Sequence, residues 1–254
     1  MRGAVHIGAH GELRSRGIVV HAIGDEITTL GPNVLMTEHT HPFDLSFHVW
    51  SPSIEQDRLS TGEHMFPFEF VLPIALPPTF DGELTKIAYR LVVKIDVPLR
   101  ADLHLEQPFK VRVPPLIDAA RPLHTSANTP SGSTLELDLE ASDLYPGDHV
   151  IGELRVIGVE AQSIKAAKVE LISRETGEAH EFVDHVEKLR VREEIDPARL
   201  TGGQSCSIDL PIPLDVDPSF TAQHSAKARM VRAQIDLADG HTLTAEAVIR
   251  VGAR

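Results

Sequence analysis

Imidazole, thiol and carboxylate groups are where this sequence could do chemistry, and the imidazoles come first. Fourteen histidines are many for 254 residues. His39-Thr40-His41 would place two of them on one face of a strand. Two imidazoles so placed, joined by His48 or His64, are the donor set of some metal sites in β-barrels. Against that, Glu38 precedes the pair, and no downstream carboxylate or glycine spacing completes a jelly-roll metal signature. The pattern reads as surface histidines, and no metal ligand is assigned. Cys206 stands between Ser205 and Ser207, just before Ile208-Asp209-Leu210-Pro211. That is a strand context, with no glycine-rich elbow or helix start to lower a thiol pKa, and it reads as a core or edge cysteine. No serine lies in a Gly-x-Ser-x-Gly elbow, and no glycine-rich phosphate loop joins a strand to a helix. Glu193-Glu194 lies in a mixed-sign stretch and reads as a solvated face. No catalytic or cofactor-binding residue is therefore assigned, no cofactor is expected, and the chain is read as a non-enzyme. A metal-dependent β-fold enzyme relying on the histidines is the distant alternative.

The elements that would position these groups are strands. Ile87, Tyr89, Leu91, Val93, Ile95 and Val97 alternate with Arg90, Lys94 and Asp96, the pattern of a strand with one buried and one wetted face. Leu135, Leu137 and Leu139 alternate with acidic residues, as do Leu243 to Val251 with Thr244, Glu246 and Arg250. Leu45, Phe47 and Val49 share a face of a strand from Asp44 to Trp50, whose tryptophan is read as a sandwich-edge anchor rather than a partner contact. Only Ala101 to Glu106 and Val186 to Glu194 could read as helical, and both are ambiguous. Asp239-Gly240 predicts a two-residue hairpin turn, and Tyr145-Pro146-Gly147-Asp148 a type II turn. Gly177 and Gly202-Gly203 are expected at loop tips.

Composition limits the partners. A net charge of −13 at pH 7, with Arg and Lys scattered singly among Asp and Glu, disfavours nucleic acid and acidic membranes. One cysteine allows no internal disulfide, and no apolar run suits a signal peptide or a membrane span, so a cytoplasmic location and no membrane insertion are expected.

Between Pro114 and Gly132 the alternation stops in a Pro-, Ala-, Ser- and Thr-rich segment that reads as a linker. The halves on either side repeat one another. Phe68-Glu69-Phe70-Val71-Leu72-Pro73-Ile74-Ala75-Leu76-Pro77-Pro78-Thr79-Phe80 is answered by Ser207-Ile208-Asp209-Leu210-Pro211-Ile212-Pro213-Leu214, then Asp215 to Phe220. Each precedes an alternating strand, and each half has a glycine opening an earlier strand, Gly3 and Gly152. Prolines in these segments should mark edges or crossovers.

The run Gly62 to Pro73, then Leu76-Pro77-Pro78-Thr79-Phe80 and Ile87-Ala88-Tyr89-Arg90-Leu91, resembles the arrestin pattern of an FPFxFxLP strand, an LPxSF turn and an IxYxL strand. Tyr145-Pro146-Gly147-Asp148-His149-Val150-Ile151-Gly152 resembles the YxPGExIxG opening of an arrestin-like domain. The arrestin-fold superfamily also includes the retromer cargo-binding subunit and a bacterial sporulation-control family. The resemblance implies an all-β chain of two tandem antiparallel immunoglobulin-like sandwiches, residues 1–118 and 134–254, joined by a linker at 119–133. It also implies a protein-binding adaptor or scaffold without chemistry of its own, or a sporulation-control-like regulator; neither partner nor binding face is implied. Residues corresponding to the basic phosphate-sensing first strand of arrestins are missing, so phosphate-triggered activation is not implied. Thr134 to Ile151 supplies a strand before Gly152, whereas only Met1 and Arg2 precede Gly3. One expectation is a start at an internal methionine that leaves the first sandwich with an uncovered edge. The competing one is an edge open by design, for β-augmentation or self-association.

Overall fold

Alternating side chains need a sheet to stand on, and nearly every alternating run forms one. The computed structural model describes residues 1–31, 36–51, 58–113, 121–129, 132–160 and 163–253. The chain divides into two units, Met1–Arg112 with Ala222–His224, and Val113–Thr221 with Ser225–Arg254.

In the first unit the strands are β1 (Arg2–Ala9), β2 (Leu13–Arg14), β3 (Gly17–Leu30), β4 (Met36–Trp50), β5 (Arg58–Leu59), β6 (Gly62–Glu69), β7 (Phe80–Asp81), β8 (Thr85–Asp96) and β9 (Leu103–Phe109). One sheet runs β4-β3-β8 with β7 and β9 on β8, while β1 pairs β6 in a separate two-stranded sheet. Val5 of β1 packs in one cluster with Ile18 and Val20 of β3, Leu59, Ile95 and Val97, and Phe66 and Phe68 of β6 close over it. Fully burying each such side chain contributes about 1.5–3 kcal/mol. Aromatics are scarce in the chain but concentrated here: Phe47 lies 5.9 Å from Phe68 and 5.8 Å from Phe70, and Phe43 lies 6.3 Å from Phe70. Trp50 ends β4 half-buried, 6.3 Å from Phe66, so it anchors this layer as expected. The proline-rich crossover before β7 is tied down by Tyr89, whose buried hydroxyl donates to the Pro77 carbonyl at 2.7 Å. Burial pushes that phenol up to about 12.

The second unit holds β10 (Leu123–Asn128), β11 (Thr134–Leu139), β12 (Asp143–Leu144), β13 (His149–Ile157), β14 (Ile164–Ala179), β15 (Phe182–Ile195), β16 (Ser205–Pro211), β17 (Phe220–Thr221), β18 (Ser225–Leu237) and β19 (Thr242–Val251). One sheet runs β10-β11-β13-β16 and the other β12-β19-β18-β14-β15, with β17 on β18. Leu135, Leu137, Leu154, Val156, Ile208 and Leu210 from the first face Val169, Leu171, Val231, Ala233, Ile235 and Ile249 from the second in one core. Pairing is antiparallel apart from the two-residue match of β12 with β19. The expected type II turn is present: Gly147 takes φ 87° and Asp148 N–H donates to the Tyr145 carbonyl at 3.0 Å. The β18–β19 hairpin turns where expected but with three residues instead of two, Ala238, Asp239 and Gly240, between the paired Leu237 and His241, and Gly240 takes φ 90°. The repeat extends to register, since Phe80 opposes Ile87 and Phe220 opposes Lys227 at the same spacing.

Four expectations change. Neither segment that could read as helical is a helix: Leu103–Glu106 of the first lies in β9 and the whole of the second in β15, because β8 and β14 offer them ladders that outweigh weak local propensity. Leu123–Asn128, expected within the linker at 119–133, is a strand paired along the whole of β11. Its half-buried side chains are Leu123, Thr125 and Ala127, too small and polar to show as an apolar period. Gly177 sits inside β14 opposite Asp184 rather than at a loop tip; the β14–β15 hairpin turns at His180, whose φ is 57°. Gly202 and Gly203 end a 3-10 turn over Pro197–Gly203 with φ of 64° and 75°.

Candidate functional site

Two surfaces carry unmet or concentrated polar capacity, both in the first unit. The first is the outer edge of β1. The Met1 ammonium donates to the Phe70 carbonyl at 2.5 Å, and Phe70 N–H returns a bond to Met1 O at 3.0 Å. Met1 and Phe70 are thus a hydrogen-bonded pair, and antiparallel ladders alternate such pairs with non-bonded ones. Gly3, Val5, Ile7 and Ala9 therefore bond towards β6, while the N–H and C=O groups of Arg2, Ala4, His6 and Gly8 point the other way. Among the described residues β1 has β6 as its sole partner strand. By the same count Pro67, opposite Ala4, turns its donorless nitrogen away from β1, where it costs no ladder bond. In the second unit β13, which begins at His149 and carries Gly152 in its interior instead of at the start expected from sequence, has β16 on one side and β11 on the other.

The second surface is a histidine–carboxylate cluster on the outward face of the β3–β4–β8 sheet. Gly24 opposes Phe43 and Glu26 opposes Thr40, so β4 carries one extra residue at His41-Pro42. Such a bulge re-aims side chains, and here it brings both imidazoles over Asp25. His39 Nε2 lies 3.2 Å and His41 Nδ1 3.0 Å from the same Asp25 oxygen, Oδ1. The other oxygen accepts a hydrogen bond from the Arg90 guanidinium, reaching across from β8. Asp25 is 5% exposed, although its neighbours on that face are wetted. The imidazoles are half exposed and stand 4.8 Å apart, ring centre to ring centre.

His48 and His64 do not join this cluster. His64 sits on β6 with Nε2 2.7 Å from the Ser60 carbonyl oxygen, and His48 lies further along β4 towards Gly17. Cys206 is buried in the second core and desolvation pushes its thiol up, which leaves it a poor nucleophile. Glu193 and Glu194 lie on β15, Glu194 opposite Lys168, on a largely exposed strand. Asp25 and Arg90 were missed from sequence; the signal that could have found them is a charged residue at a face position of each strand flanking the histidines' register.

Two sandwiches built on one repeated plan, the first carrying an aromatic FPF strand and a proline-tied crossover, have the all-β architecture that the arrestin-fold resemblance implies. Residues 2–117 match the family described as Arrestin (or S-antigen), N-terminal domain. The chain is similar to arrestin domain-containing protein 1 of Rattus norvegicus, 31% identical over 99 residues. The Mus musculus protein of that name is 30% identical over 99 residues. Each alignment covers 39% of this chain and 22% of the relative, so the matched stretch spans about a fifth of these curated proteins. No described helix is long and apolar enough to cross a membrane.

Proposed function

We propose that the chain is a non-enzymatic, arrestin-like adaptor that binds other proteins, and that it takes an extended partner segment along the outer edge of β1. The observation that carries this reading is the row of backbone groups at Arg2, Ala4, His6 and Gly8 that face away from β6 and have no strand partner among the described residues. An added strand would satisfy those donors and acceptors, as β11 does for β13 in the other sandwich. Main-chain pairing asks little of partner sequence, which suits an adaptor. The superfamily resemblance supports a binding role over a catalytic one, and the buried, poorly nucleophilic Cys206 agrees with it.

The test uses the alternation of the ladder. Ala4→Pro and His6→Pro each delete a donor on the free edge while sparing every β1–β6 bond, and edge strands tolerate proline. With the wild-type chain as bait in a native lysate, the captured proteins should be lost from both variants, while thermal stability changes little. Hydrogen exchange at Ala4, His6 and Gly8 should be fast in the free protein and slow in the complex. Capture unchanged by either proline would overturn this assignment of the binding edge.

A further inference from the structure

We propose that Asp25, His39 and His41 form a binding site for a zinc(II)-class transition-metal ion. The donor set is suited to it: two imidazole nitrogens and a carboxylate oxygen are ligands borderline-soft divalent ions accept, and three protein ligands leave a position open for water. The geometry is close to what the ion requires. A tetrahedral ion with bonds of about 2.0–2.1 Å holds its donor atoms roughly 3.3 Å apart. The two nitrogen-to-oxygen edges already measure 3.2 and 3.0 Å. All three donor atoms lie within 4.8 Å of one another, and the two imidazoles are half exposed, which leaves their rings room to turn towards a shared ion.

The surroundings favour the same reading. Asp25 is held in place by burial and by the Arg90 guanidinium, which occupies Oδ2 and leaves Oδ1 facing the histidines. A carboxylate fixed through its second oxygen is the usual outer-shell arrangement of a protein metal ligand. Arg90 also brings a positive charge, which opposes a dication and weakens binding. The chain's net charge of −13 acts in the other direction. The expected site is therefore of modest affinity, open to solvent on the imidazole side and fixed on the carboxylate side. It is independent of the β1 edge and stands or falls separately.

With fourteen histidines in the chain, zinc binding alone would not locate the site. The experiment is a calorimetric titration of the full chain with zinc chloride, repeated on His39→Gln/His41→Gln and on Asp25→Asn. Cobalt(II) absorption serves as a second readout. The wild type should bind one equivalent whose affinity falls at least tenfold in both variants, and cobalt should give the intense visible band of tetrahedral coordination only in the wild type. The double glutamine variant alters exposed side chains and should keep the fold, so it decides the matter if Asp25→Asn fails to fold. Zinc affinity unchanged in the glutamine variant, or no zinc bound by the wild type, overturns the proposal.

Discussion

Arg229 is fully buried in the second sandwich, an expensive place for a cation. Its guanidinium donates to the Asp217 carbonyl at 2.6 Å and the Ala228 carbonyl at 3.2 Å, and its Nε has no hydrogen-bond partner among the described residues. Burial pushes its pKa down to about 10, so it stays charged at neutral pH. Arg229→Ala would empty a large volume and remove the donors to both carbonyls, and should cost about 3–5 kcal/mol, read as a lower denaturation midpoint in urea. Nothing local in the sequence marks Arg229 as buried: in Ser225–Leu237 it holds an inward position among apolar neighbours, and only the strand's phase reveals it. The histidine cluster shows the same limit. His39 and His41 were legible as a same-face pair from their spacing. Asp25 was not, because it is fourteen residues upstream and reaches them through a bulge, which changes register by one residue without any fixed sequence signature.

At the scale of strands, Gly3 of β1 and Gly152 of β13 differ in what surrounds them. A Cβ on Gly3 would lie 2.5 Å from the Phe68 ring tip, a side chain that can turn aside. A Cβ on Gly152 would lie 2.2 Å from the carbonyl oxygen of Asp138, part of the β11 backbone. Gly152→Ala must therefore push β11 off β13 and should cost about 1–3 kcal/mol, more than Gly3→Ala. Comparing the two thermal unfolding midpoints checks this; equal losses would mean that β11 yields easily. Strands with strong alternation, such as Thr85–Asp96 and Thr242–Val251, were legible because one face is apolar and the other is not. Leu123–Asn128 and Phe182–Ile195 were not. The first has small, polar side chains, and the second is exposed along most of its length, so burial left little pattern on either.

At the scale of the whole chain, the duplicated plan was the most legible feature, because proline-rich crossovers and glycine-bearing strands recur in order. Its electrostatics were not, since ion pairs on sheet faces join residues distant in sequence. In the second unit Asp143 accepts from the Arg250 guanidinium, 107 residues away, and that bond holds its carboxyl below the usual value of 3.8. Glu187 is held below 4.5 first by the hydrogen bond from Arg232, at 3.0 Å, and also by Arg174. A carboxylate whose folded pKa is depressed binds fewer protons than its unfolded counterpart over the interval between the two values. The stability it contributes is complete above about pH 4.5, where the unfolded side chain is also ionised. It is lost as pH falls through the folded values. Acidification should thus unfold the second sandwich progressively below about pH 4. Asp143→Asn combined with Glu187→Gln should lower stability at pH 7 and flatten its fall between about pH 5 and 2. Urea unfolding followed across that range measures both effects. A variant as steep as the wild type would place the acid sensitivity in other carboxylates.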